Sequence, residues 1–174
     1  MKRFAILALS LLCACIVRAD DPATFPVGGL DFTRPADWQW VPVSSPMRVA
    51  ELKVPGEKPT ESADITFFYF EGGGGGVQAN AQRWANQFHG PQEAKIEEQK
   101  IGDLKVTIVT TEGTFASGMP GGAQTPMENY ALLGAIIENK EGNIFVKMTG
   151  PSAIVKGSRE KFMKFITSAI EAHK

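Results

Sequence analysis

A run of five glycines, Gly72–Gly76, lies between a predicted strand and a predicted helix. A glycine loop in this position can present backbone N–H groups and the positive end of the helix dipole to an anion. The known phosphate motifs are incomplete, because Val77-Gln78-Ala79 stands where a Walker loop has Gly-Lys-Ser/Thr and where a Gly-x-Gly-x-x-Gly motif needs its last glycine. The run is therefore either a simple strand-to-helix turn or a ligand loop. The second interpretation makes Gly73, Gly74, Gly75 and Gly76 candidate binding residues.

The helix predicted over residues 77–88 has one polar and one apolar face. The apolar stripe predicts burial against a sheet and consists of Val77, Ala81, Trp84 and Phe88. The polar stripe is either solvated surface or a binding face, and consists of Asn80, Arg83 and Gln87. Arg83 would be the main contact of a binding face, because its planar guanidinium can hold a carboxylate or a phosphate.

The chain has few residues of the types that catalytic and metal-binding sites use. Beyond the leader the chain has two histidines, His89 and His173, with no cysteine, no Gly-x-Ser-x-Gly elbow and no carboxylate-rich loop of calcium spacing. We therefore predict no metal and no cofactor. A small hydrolase centred on His89 stays open as the alternative to a binding protein, because catalytic triads assemble from distant parts of a chain.

The first 19 residues predict an export signal. Met1, Lys2 and Arg3 precede an uncharged stretch over residues 4–17, which is too short to span a bilayer. Val17-Arg18-Ala19 predicts cleavage before Asp20 and a protein free in the periplasm or outside the cell. Leu12-Cys13-Ala14-Cys15 instead resembles a lipobox, which would place a lipid on Cys15 and tether the domain to a membrane.

Composition predicts one domain over residues 20–174, with its core over about 30–172. Removal of the leader takes three of the 18 basic residues and leaves all 19 acidic ones, so no overall positive charge attracts nucleic acid. The leader also contains both cysteines, so disulfides cannot stabilise the mature chain. A hydrophobic core suffices at this length.

The remaining segments predict a largely antiparallel sheet covered by helices. An extended lead-in over residues 20–37 precedes short strands at 39–43 and 48–54, and Ile65–Phe70 alternates with apolar residues on both faces. Two hairpins follow, 95–101 with 104–111 and 130–137 with 144–149, and a helical region covers 152–173 with Ser158 as its cap. Two-sided strands require cover on each side, so we predict an α+β fold built as an α/β/α sandwich.

Residues 111–129 are predicted to form a long connection rich in glycine and proline. Loops of this length usually carry function or are disordered. An ordered loop would present an adaptable apolar surface to a protein partner through Phe115, Met119 and Met127.

Two resemblances extend these predictions. Phe32-Thr33-Arg34-Pro35-Ala36-Asp37-Trp38 and the order of elements resemble the fold shared by the photosystem II extrinsic protein PsbP and a Ran-binding import factor. An uncharacterised family of exported bacterial proteins is similar over residues 30–172, through Pro46-Met47-Arg48, Phe68-Tyr69-Phe70, Val77-Gln78-Ala79-Asn80, Arg83-Trp84-Ala85-Asn86-Gln87-Phe88 and Phe145-Val146-Lys147-Met148-Thr149-Gly150-Pro151. The resemblance implies a PsbP-like fold, and the exported family has no established activity to carry over. From the candidate surfaces, which are the glycine loop, the polar stripe of the helix and the 111–129 connection, we predict a non-enzymatic domain of the bacterial envelope that binds a protein partner or a small ligand.

Overall fold

A computed structural model describes residues 21–90, 93–117 and 125–173. It contains a mostly antiparallel sheet and three helices, which confirms the predicted α+β class. The predicted signal peptide, Cys15 and Met119 lie outside the described residues.

Ten strands are present in the described residues, and each paired strand runs antiparallel to its neighbour. Their bounds are β1 (Thr24–Val27), β2 (Leu30–Thr33), β3 (Gln39–Val41), β4 (Ala50–Pro55), β5 (Ser62–Glu71), β6 (Phe88–His89), β7 (Lys95–Ile101), β8 (Leu104–Ser117), β9 (Thr125–Asn139) and β10 (Gly142–Pro151). The main sheet has the order β3-β4-β5-β10-β9-β8, and both β6 and β7 pair with β8. The predicted central hairpin, β9 with β10, is therefore confirmed.

The three helices are α1 (Val77–Ala85), α2 (Ser152–Gly157) and α3 (Arg159–Glu171). In the described part of the chain, no helix has the length and apolar character needed to cross a membrane. Ser158 occupies the N-cap position of α3 as predicted, although its side chain makes no capping hydrogen bond.

One sheet face carries the larger hydrophobic core. Phe162, Phe165 and Ile166 of α3 pack there with Ile65 and Phe67 of β5. The β1–β2 hairpin completes this core with residues that include Phe25, Val27, Leu30 and Phe32. The predicted extended lead-in was therefore wrong over residues 24–33, where the chain pairs with itself around Gly28-Gly29.

Helix α1 packs on the opposite face. Ala81 and Trp84 of α1 join Leu132, Ile136 and Phe145 of the central strands in a second core. Phe68 and Phe70 of β5 pack against this core while Ile65 and Phe67 belong to the first one, so the predicted two-sided strand is confirmed. The helix ends at Ala85 instead of Phe88, because Phe88 leaves it to pair with Phe115 in β8.

The predicted long connection is mostly strand. β8 continues to Ser117 and β9 begins at Thr125, so residues 111–117 pair with residues 125–132. A register shift between Gly113 and Phe115 absorbs an irregular position in the ladder. The interpretation as a loop was wrong over residues 111–117 and 125–129, because strand pairing outweighs the low strand propensity of glycine and proline there.

Candidate functional site

The glycine run forms a tight loop in which all five residues have positive φ, between 61° and 90°. Several of its backbone groups are already bonded. Gly73 N–H donates to Phe70 O (3.2 Å), Gly76 N–H donates to Gly73 O (3.4 Å) and Gly72 N–H donates to Glu141 O (3.4 Å). These three amides would have to break a bond before they could hold an anion, so the loop by itself is a weak anion cradle.

Asn80 holds this loop onto α1. Its side chain is only 3% exposed, and its Nδ2 donates to Gly74 O (2.8 Å) and Gly76 O (2.7 Å). Its Oδ1 accepts a hydrogen bond from Arg83 Nη2. Asn80 therefore points inward and positions both the loop and Arg83, whereas the sequence placed it on a polar outer stripe.

Lys147 of β10 is a site residue that the sequence analysis did not single out. Registration pairs it with Thr66 of β5 and with Gly134 of β9, and its side chain lies on the same face as α1. The half-buried amine donates to Gln87 Oε1 and lies 5.4 Å from the centroid of the Phe115 ring. The structure thus brings Gln87 and Phe115, predicted separately, to one lysine.

Burial and two nearby cations perturb this amine. Loss of solvent contact, and then the positive charges of Arg83 and Arg48, lower the pKa of Lys147 to about 8. Neither Arg83 nor Lys147 forms an ion pair with a carboxylate of the described residues. Two converging positive charges without a partner are what a bound anion would neutralise.

Two carboxylates on this sheet face are already engaged with other cations. Glu51 lies 3.0 Å from Arg48, and Asp64 lies 4.0 Å from Lys53. Burial acts to raise the pKa of Glu51, but hydrogen bonds from Ser44 and Arg48 outweigh it and lower that pKa. Burial raises the pKa of Asp64, partly offset by Lys53. Neither of these carboxylates pairs with Arg83 or Lys147. Glu98, exposed on β7, accepts a hydrogen bond from Gln78 of α1 (3.3 Å).

Aromatic residues form the wall beside the amine. The Phe115 ring lies 5.0 Å from the ring of Phe88 and 6.1 Å, nearly parallel, from that of Tyr130. Phe115 is half-buried in this stack, so it belongs to the site and is not a free loop residue. Met127, its partner in the ladder, is partly exposed on the outer part of the β8–β9 hairpin, where residues 111–117 pair with residues 125–132, which we call the β8–β9 arm.

His89 lies outside this cluster. It is exposed in β6, where its backbone pairs with Thr114. Its ring makes no hydrogen bond to any described residue, so the geometry gives it neither a nucleophile nor an orienting acid. The described residues also contain no group of three or more His, Cys, Asp or Glu placed to share a metal ion.

Comparison with known proteins adds little. No family model matches the chain, and no curated protein matches it. A crystal structure of a protein of unknown function from Pseudomonas aeruginosa is similar, with a TM-score of 0.48 and 14% identity over 83% of this chain and 92% of that one. A likeness of this size carries no argument about function.

Proposed function

We propose that this chain is an exported, non-enzymatic binding domain of the bacterial envelope with a PsbP-like α/β/α sandwich fold. In this proposal it holds an anionic group, a carboxylate or a phosphate, between Arg83 and Lys147. The packing of α1 and α3 on opposite sheet faces supports the sandwich. The export leader and the sequence blocks support the location and the family.

One observation carries the binding function: the half-buried Lys147 bonds to Gln87 just beyond α1 and lies within electrostatic range of Arg83, and neither cation has a carboxylate partner in the described residues. Burying an unpaired cation costs stability, so a chain selected for folding alone would place a neutral side chain there. Arg83 supplies a fork of donors, Lys147 supplies a point charge, and Gln87 keeps the amine in position.

Titration of the mature chain with sodium acetate and sodium phosphate at constant ionic strength tests this function. Nuclear magnetic resonance would follow the side-chain amide of Gln87. We expect saturable shifts around Gln87, weakened by roughly tenfold or more in Arg83→Gln and in Lys147→Met. Lys140→Met, which removes an exposed lysine elsewhere, should bind as wild type does. Absence of saturable shifts, or equal affinity in all four proteins, would contradict the proposal.

Mass spectrometry of the protein recovered from its native cell tests the location. A chain that begins at Asp20 supports the free exported form. An acylated Cys15 at the start would make the domain a lipoprotein and leave the binding site unchanged. A chain that still begins at Met1 in the cytoplasm would contradict export.

A further inference from the structure

The large hydrophobic side chains that remain exposed in the described residues all belong to one loop. They are Val43 at 47%, Met47 at 65% and Val49 at 46% exposure. Soluble proteins usually scatter such residues, whereas a cluster marks a contact surface. Residues 42–49 connect β3 to β4, at one edge of the main sheet.

This loop is held in one conformation by hydrogen bonds. Ser44 N–H donates to Glu51 Oε1, and Arg48 Nη1 contacts both Ser44 Oγ (2.8 Å) and Glu51 Oε2 (3.0 Å). Val49 N–H donates to Phe67 O (2.8 Å), which anchors the end of the loop to β5. Little conformational freedom remains to be lost when a partner binds, and this favours affinity.

The loop lies on the same side of the sheet as the two cations of the proposed site, Arg83 and Lys147. Ladder registration places Glu51, Thr66 and Lys147 on one row across β4, β5 and β10, two strand spacings or about 10 Å from end to end. Arg48 is close enough to Lys147 to help lower its pKa, which agrees with this spacing. The loop, with Met47 and Val49, therefore borders this sheet face on one side, and α1, with Arg83 and Gln87, borders it on the other. Thr66 and Lys147 lie between them, and we call this strip of surface the groove.

We infer that this groove binds a segment of a partner protein in which an acidic side chain neighbours an apolar one. The acidic side chain would reach Arg83 and Lys147, and the apolar one would cover Met47 and Val49. This inference rests on the proposed anion site and names the partner that would supply the anion. The charge fits, because the cations here are unpaired while the mature chain as a whole is acidic. An acidic side chain of a partner can also reach the half-buried Lys147 more easily than the flat surface of an anionic membrane can.

Selection from a random displayed-peptide library on the wild-type mature chain tests the inference. Enriched sequences would be synthesised, and their affinity would be measured by fluorescence polarisation. We expect Asp or Glu beside an apolar residue in these peptides. Affinity should fall roughly tenfold or more in the double variant Met47→Ser/Val49→Ser and in Lys147→Met. Ala153→Ser, an exposed apolar-to-serine change in α2, should have no effect.

The acetate titration separates the two proposals. The double variant keeps Arg83 and Lys147, so it should bind acetate as wild type does. If acetate binds but the peptides lack carboxylates, ignore the double variant or fail to enrich, the docking inference is wrong and the anion site stands. If acetate does not bind wild type, both proposals fail. Sedimentation with phosphatidylglycerol vesicles that depends on Met47 and Val49 would assign the surface to lipid and overturn the inference.

Discussion

The indole ring of Trp84 lies directly against Gly134, and a Cβ atom added to Gly134 would come within 2.7 Å of Trp84 Cε3. The central strand β9 thus has no side chain at the place where α1 rests on it. This contact fixes how closely the helix approaches the sheet beside Lys147, which is paired with Gly134 in the ladder.

Replacement of these two residues should show strong coupling. Trp84→Ala should lower the free energy of unfolding by about 3–5 kcal/mol, because it empties a large aromatic site in the second core. Gly134→Ala should cost about 1–3 kcal/mol through overpacking. In the Trp84→Ala background the same alanine should cost far less, because the ring that it meets is gone. Urea denaturation of the four proteins measures this cycle, and purely additive effects would contradict the close contact.

Asn80→Ala should destabilise the protein by about 1–3 kcal/mol. The substitution leaves the carbonyls of Gly74 and Gly76 without their side-chain donor. Gln82→Ala is the matched control, because Gln82 is exposed and bonds only to Asn86 in the described residues. If the two variants unfold at the same urea concentration, Asn80 does not organise the glycine loop.

Lys147→Met should stabilise the protein at pH 7 while it removes anion binding. The change replaces a half-buried cation by an apolar side chain of similar length, and we expect a gain of about 1 kcal/mol. Lys140→Met should change the unfolding free energy little, because Lys140 is exposed. A loss of stability in Lys147→Met would mean that the amine has a structural role and would weaken the binding proposal.

The stability of the wild-type protein should rise between pH 8 and about pH 10.5 relative to that of Lys147→Met. The pKa of Lys147 is about 8 in the folded chain, below the ordinary value of 10.5. Between these values the unfolded chain binds more protons, so increasing pH favours the folded state. Below pH 8 both states are protonated and the penalty is fully present. Parallel stability curves for the two proteins across this range would contradict the lowered pKa.

Arg83→Ala should raise the pKa of Lys147, because it removes one of the positive charges acting on the amine. The fold should survive, since Arg83 is exposed and its side chain bonds only to Asn80 in the described residues. Heteronuclear resonance titration of the Lys147 side chain measures the shift. An unchanged pKa would place the guanidinium too far from the amine for the two to share an anion.

The sequence predicted those elements whose local pattern agrees with their packing. The alternation of Ile65 and Phe67 with Phe68 and Phe70 predicted a strand between two cores, and both cores are present. The spacing of Ala81 and Trp84 predicted the buried face of α1. In both cases a few neighbouring residues contain the whole signal.

Hairpin β1–β2 was missed although its signal is present. Gly28 and Gly29 have φ of 55° and 81°, as a two-residue hairpin turn requires, and apolar residues alternate on either side. Pro26 lies within β1, and a two-stranded ribbon can accept a proline because it leaves one side of each strand unpaired.

The site itself depended on contacts between distant parts of the chain. Lys147 is flanked by Val146 and Met148, and an isolated lysine in a strand usually indicates a solvated position. Lys147 is two residues from Phe145 and so lies on the same face of β10. Because Phe145 packs under α1, this shared face was the available clue. Its proximity to Gln87 and Phe115 follows only from the packing of α1 and of the β8–β9 arm, which local patterns do not encode.

The β1–β2 hairpin has a practical consequence for work with this protein. Residues 24–33 look dispensable beside the predicted leader, and a recombinant version that starts after them would keep every residue of the proposed anion site. It would nevertheless strip the covering from Phe67 and Phe165, whose rings pack against Phe32 at 5.4 and 5.3 Å. Shortened versions should therefore aggregate and lose binding for reasons unrelated to the groove. A recombinant version should begin no later than Asp20.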